Sequence, residues 1–291
     1  MLQPSSILSV PGRLVDAAWL AGHIGATDLV VLDATVPYGP HGPDGRLGLA
    51  RWREAHVPGS RHADLLGSLS DPASAFSFTF PSTEKLVPAL RELGVHDGAA
   101  VVVYDDFLNM WATRLWWMLR AIGFTNVAVL DGGWKAWVRA GGPIASGATH
   151  AVPPARPLSV RPRASFVGLG AVQAHVAGQR QSEALVCALP REYFTGVETI
   201  GGRGGHIPGS ISIPAASLLD AEGRFLPKDE LRARLSRLDD ASSITLYCGG
   251  GISATVVAFA LGLIGRENVA VYDGSLEEWN ADSSRPLAVE G

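Results

Sequence analysis

The chain has 291 residues, is 47% hydrophobic and 18% charged, and carries a net charge of −4. That length suits one large domain or two ordinary ones, and that balance excludes a disordered chain. With no basic stripe and no apolar run of spanning length, neither nucleic acid nor membrane is expected as a partner.

In chain order, the start lacks a basic segment leading into a long apolar one, so no secretory signal is expected. Leu29–Leu32 reads as a first buried strand, short, β-rich and closed by Asp33. A helix is expected over Ser82–Leu93, with Ser82 as N-cap after Pro81. The strand Ala100–Tyr104, a helix over Ala112–Ala121 and the strand Val127–Leu130 follow. The stretch 144–157 is rich in Pro, Gly and Ala and reads as a linker. Beyond it come the strand Ala184–Cys187, a helix over Lys228–Leu238, the strand Ile244–Tyr247, a helix over Ser253–Leu263 and the strand Val269–Tyr272. Alternating apolar strands and helices predict an α/β fold with mainly parallel sheets, flanked by helices on both faces.

The two halves repeat each other. "HVPGS" at His56 returns as "HIPGS" at His206, 150 residues on. "VVVYD", ending at Asp105, matches "ITLYC", ending at Cys248, at an offset of 143. "VAVLDGGWKAW" from Val127 matches "VAVYDGSLEEW" from Val269 at an offset of 142. Three ordered matches at nearly constant spacing imply a duplicated domain. The expected division is a first domain over 1–143, the linker 144–157 and a second domain over 158–291. His56 and His206 recur in both halves, which predicts a structural role. Trp111, Trp116, Trp117, Trp134 and Trp137 are expected to serve packing.

The chemistry concentrates in "LYCGGGISAT". Its strand delivers Cys248 to the carboxyl end of a parallel sheet, where open α/β sheets place their ligand sites. Gly249, Gly250, Gly251, Ile252 and Ser253 separate the thiol from the body of a helix. Glycines let successive N–H groups face one point, and a helix start adds unsatisfied donors and partial positive charge. This pattern predicts an anion cradle around one sulfur, able to hold a thiolate or a persulfide anion without a cationic side chain. The alternative is a tight turn beside a buried, inert cysteine. Cys187, inside "EALVCALP" with no glycine loop, reads as that kind of core filler. A phosphatase loop needs arginine six residues after its nucleophile; here that residue is Ala254. Phosphoryl transfer is therefore disfavoured and sulfur transfer remains.

"VLDAT" (Val31–Thr35), "HVPGS", "VVVYDD", Ala112–Trp137, "HIPGS", "YCGGGISA" and "VYDGSLEEW" resemble, in order, the landmarks of the two-domain rhodanese family, the thiosulfate and 3-mercaptopyruvate sulfurtransferases. The resemblance implies two tandem rhodanese-like domains. The first would be catalytically silent, with Asp105 in the cysteine's place. The second would carry the nucleophile Cys248. It also implies a small-molecule sulfur donor, a thiophilic acceptor such as cyanide, a small thiol or thioredoxin, and no cofactor or metal. With only two cysteines and no signal, a cytoplasmic location is expected.

The family's substrate residues match incompletely. Gly250 stands at a serine position of the mercaptopyruvate type and Ser253 at a threonine position. Asp64 matches a first-domain aspartate, whereas the companion histidine's place falls near Phe78. Leu189 and Tyr193 occupy the places of two arginines, and Cys187 that of an aspartate. Arg203 and Arg191 are the candidate replacement cations, each with a solvated surface arginine as its alternative. A persulfide carrier or sulfur sensor with little turnover is the second functional reading.

Overall fold

The computed structural model describes residues 8–39, 42–148, 156–180 and 182–289. The chain divides into two compact units. The first contains the chain up to Leu69 and Pro81–Pro162; the second contains Ser70–Phe80 and Arg163–Gly291. Part of the expected linker, 149–155, lies outside the described residues. The segment 70–80, placed in the first half by its position in the sequence, packs with the second unit.

In the first unit the strands are β1 (Leu14–Val15), β2 (Leu29–Asp33), β3 (Arg61–His62), β4 (Ala100–Tyr104) and β5 (Val127–Leu130). They form one sheet in the order β1-β5-β4-β2-β3, every pairing parallel. The main helices are α1 (Ala17–His23), α2 (Gly45–Glu54), α3 (Thr83–Glu92), α4 (Met110–Ala121) and α5 (Gly133–Arg139). In the second unit the main sheet has the strands β6 (Phe166–Val167), β7 (Glu183–Cys187), β8 (Ile211–Ser212), β9 (Ser243–Tyr247) and β10 (Val269–Tyr272). Their order is β8-β7-β9-β10-β6, again wholly parallel, which is the first sheet's order read from the other edge. Helices α6 (Leu169–Val176), α7 (Arg191–Phe194), α8 (Lys228–Leu235), α9 (Ser253–Leu263) and α10 (Ser275–Asn280) complete it.

The central strands are apolar along their whole length because helices cover both faces. All five residues of β4 are buried. The helices behind the central strands are apolar on nearly every side: Ala254 to Gly262 of α9 are all buried, as is most of α4. The helix expected to reach Leu238 ends at Leu235 and tightens into a 3₁₀ turn over Ser236–Leu238. Ser82 takes the N-cap position of α3, though its side chain makes no capping bond.

The repeated motifs meet at one place in each sheet. The Tyr104 hydroxyl accepts the Val57 amide at 3.2 Å and lies 3.2 Å from Ser60 Oγ. The Tyr247 hydroxyl accepts the Ile207 amide at 3.0 Å and lies 2.9 Å from Ser210 Oγ. Each HxPGS turn is thus fastened to the tyrosine one residue before the strand end that bears Asp105 or Cys248. The histidines do structural work: His56 Nδ1 bonds the Trp52 carbonyl and His206 Nδ1 the Phe194 carbonyl. Trp137 and Trp279 likewise each donate to the carbonyl of a proline, Pro143 and Pro286.

Candidate active site

β9 ends at Tyr247, so Cys248 emerges from the carboxyl end of the sheet's central strand. α9 begins five residues later, at Ser253. The Ile252 amide, at the N-cap of α9, donates to Cys248 Sγ at 3.1 Å. Being at the cap, this N–H has no place in the helix ladder and is available to the sulfur. Cys248 is only 2% exposed.

The loop's backbone is held from the other side by the repeated Asp-Gly-Ser turn. The Cys248 N–H donates to Ser275 Oγ at 3.1 Å, and that hydroxyl donates onward to the Tyr272 carbonyl at 2.8 Å. The carbonyls of Cys248 and Gly249 accept the amides of Leu276 and Glu277 at 3.1 and 2.8 Å. Ser275 reaches this position only with φ of +48°, an unusual conformation for a non-glycine residue. Its counterpart in the first unit is Gly133, φ +55°, where an added Cβ would strike the Asp105 carbonyl.

The three glycines have different reasons. Gly251 needs the left-handed region, at φ +74°. A Cβ on Gly250 would sit 3.2 Å from Glu277 Oε2 and 3.9 Å from Phe78 Cδ2. A Cβ on Gly249 would meet Ile200 Cδ1 at an ordinary 3.6 Å.

The first unit has an acidic side chain at the matching strand end, met by a different set of amides. Asp105 is fully buried. Its Oδ1 accepts the Phe107 amide at 2.8 Å, and its Oδ2 accepts those of Trp111 and Ala112 at 2.9 and 2.8 Å. Burial pushes this carboxyl up to about 7, against the pull of the Ala112 and Phe107 amides. Asp33, on the neighbouring strand, is raised to about 6 by the same burial, partly offset by its bond with Thr35. A carboxylate can occupy such a cradle but offers no soft nucleophile to a sulfane sulfur.

Cys187 pairs in register with Tyr247, as Asp33 pairs with Tyr104. It is fully buried, and burial pushes its thiol up to about 11. That shift favours the thiol over the thiolate.

The other expected site residues each have local partners or positions of their own. Asp64, in the first unit, closes its own turn by accepting the Leu66 and Gly67 amides at 3.1 and 2.9 Å. Arg203 spends its guanidinium on the carbonyls of Asp282 and Arg285, at 3.0 and 2.6 Å, tying the ribbon Thr199–Gly204 to the C-terminal segment. Arg191 opens the short helix α7 and is exposed, with Tyr193 half-buried on the same turn. Ser253, the first residue of α9, is half-buried. Sequence reasoning missed Ser275 and Glu277. The second copy of the repeated turn, carrying Ser where the first has Gly133, was the available signal.

The rhodanese-like domain model matches twice, over residues 16–140 and 159–282. The chain belongs to the rhodanese family. SseB of Mycobacterium tuberculosis is 36% identical over 94% of this chain and 96% of its own length. The thiosulfate sulfurtransferase of Gallus gallus is 33% identical over 91% of this chain and 92% of its own. The crystal structure of SseA from Escherichia coli, a 3-mercaptopyruvate sulfurtransferase, superposes with a TM-score of 0.78 at 31% identity, covering 90% of this chain and 98% of that one. With two rhodanese domains and relatives of this kind over nearly its full length, the protein is a sulfurtransferase. Among the described residues no helix is long and apolar enough to cross a membrane. No group of three His, Cys, Asp or Glu among them could hold a metal ion.

Proposed function

We propose that Cys248 is the sulfur-carrying nucleophile and that the donor is thiosulfate or 3-mercaptopyruvate. The Cys248 thiolate attacks the donor's outer sulfur. With thiosulfate the S–S bond breaks, sulfite leaves with the electron pair, and Cys248 becomes a persulfide anion. With mercaptopyruvate the C–S bond breaks and enolpyruvate leaves, to take up a proton at carbon. An acceptor thiophile (cyanide, a small thiol or reduced thioredoxin in the cytoplasm) then attacks the outer sulfur and regenerates the thiolate. Such a double displacement gives ping-pong kinetics.

The observation that carries this reading is the place of Cys248 at the carboxyl end of the central strand, with the Ile252 amide at the start of α9 donating to its sulfur. At the matching strand end of the first unit a different set of amides, those of Phe107, Trp111 and Ala112, faces the Asp105 carboxyl. The loop amides from Gly249 to Ser253 would hold the extra negative sulfur in the same way. The testing experiment is steady-state turnover of donor to cyanide. Cys248→Ser should abolish it and Cys187→Ser should preserve it; full turnover in Cys248→Ser refutes the assignment.

The second reading, a persulfide carrier with little turnover, draws on the near-complete burial of Cys248 and on Arg203 being committed to backbone carbonyls. It predicts that Cys248 accepts one sulfur yet turns over no faster than free cysteine with either donor.

A further inference from the structure

The segment Ser70–Phe80 packs with the second unit, and it does so beside the cysteine loop. Ser77 donates both its N–H and its Oγ–H to the Glu277 carboxylate, at 3.2 Å. The Phe80 amide donates to Asp273 Oδ2 at 2.7 Å, and the Phe80 ring stacks on Phe166 with centroids 4.6 Å apart. Between these anchors Phe78 is 7% exposed and held at φ +58°. Strain of this kind persists only where the surroundings impose it.

The result is a fixed rim over Gly250. The point where a Cβ would stand on Gly250 lies 3.2 Å from Glu277 Oε2 and 3.9 Å from the Phe78 ring. Glu277 is no wandering surface charge. Its backbone N–H is bonded to the Gly249 carbonyl and its head to Ser77. One carboxylate and one aromatic ring therefore flank Gly250, two residues along the loop from the nucleophile.

We propose that Glu277 is a specificity-determining residue. It disfavours the thiosulfate dianion relative to organic sulfur donors of lower negative charge, with Phe78 as the wall for their carbon end. The proposal rests on the sulfur-transfer reading of Cys248. Like charges held close in a partly dry site are discriminated against strongly, while a cation beside a carboxylate and an aromatic ring is favoured.

The test uses one reacting group, R–SO₂–S⁻, at three net charges: thiosulfate, methanethiosulfonate and the zwitterionic 2-aminoethanethiosulfonate. In each case the Cys248 thiolate takes the outer sulfur and the sulfite or sulfinate leaves with the bonding pair. The wild-type kcat/KM is expected to fall from the zwitterion to the monoanion to the dianion, by roughly 10- to 100-fold overall. Glu277→Gln keeps an acceptor for Ser77 and the side-chain shape. It should raise kcat/KM for thiosulfate by about 10-fold and compress the series. Phe78→Ala should lower kcat/KM for the two organic donors more than for thiosulfate. If Glu277→Gln leaves the thiosulfate-to-zwitterion ratio within about twofold of wild type while Cys248 still gains sulfur, the proposal fails alone. If mass spectrometry finds no sulfur on Cys248 with any of the three donors, the sulfur-transfer reading fails with it.

Discussion

Replacing Ile252 by proline deletes a backbone donor that reaches Cys248 Sγ, at 3.1 Å. The amide lies at the N-cap of α9, so no helical bond is lost with it. Its φ of −96° is about 30° from proline's preferred value. A hydrogen bond to a charged acceptor is worth about 1.5–3 kcal/mol, so the thiolate and its persulfide should each lose roughly 10- to 150-fold in stabilisation. The assay is the single-turnover rate of sulfur uptake by Cys248 at neutral pH, paired with the rate of alkylation by iodoacetamide. Ile252→Val keeps the amide and most of the packing of a residue that is 6% exposed, and so isolates the N–H. The expected result is a fall of about 10- to 100-fold for the proline variant and less than about twofold for the valine variant. Equal rates in the two variants, with both folded, would refute the reasoning.

Two further predictions concern stability. Ser275→Ala leaves the Cys248 N–H buried without its acceptor and should lower the unfolding free energy by about 1–3 kcal/mol. Ser275→Gly should cost less than Ser275→Ala, because it loses the same bond but relieves φ of +48°; the reverse order in chemical denaturation would contradict the role given to that hydroxyl. Asp33 is protonated in the native state up to about pH 6, whereas the unfolded chain releases that proton near its ordinary value of 3.8. The native form thus binds the extra proton in this window, and the stability contributed by Asp33 falls as pH rises through it. Asp33→Asn should therefore gain on wild type by about 3 kcal/mol between the acid and neutral ends of the window. A constant or shrinking gain, followed by urea unfolding at several pH values, would reverse the sign and refute the argument.

The features legible in the sequence are those set by short-range pattern and by repetition. Buried strands such as Ala100–Tyr104 and Val127–Leu130 announce themselves by apolar continuity, and the duplicated Tyr-Asp and Tyr-Cys strand ends mark equivalent places in two sheets. The two-residue strands β1, β3, β6 and β8 carry no period of their own; they pair because longer neighbours offer an edge. The grip of Ser275 on the Cys248 amide joins residues 27 apart, and that of Glu277 on Ser77 joins residues 200 apart, so neither leaves a local trace. Composition does not say that "SDPASAFSFTF" packs with the second unit, since Ser77 and Phe80 are held there by single carboxylates, Glu277 and Asp273. The bonds of Arg203 to the carbonyls of Asp282 and Arg285 span 79 and 82 residues and likewise leave no local trace.

The most direct test of the account is mass spectrometry of the intact protein and its peptides after a brief exposure to excess donor without acceptor. The account predicts one added sulfur atom, on the peptide bearing Cys248, removed by cyanide and absent from Cys187. Sulfur on Cys187, or none on Cys248 in protein that still turns over, would contradict it.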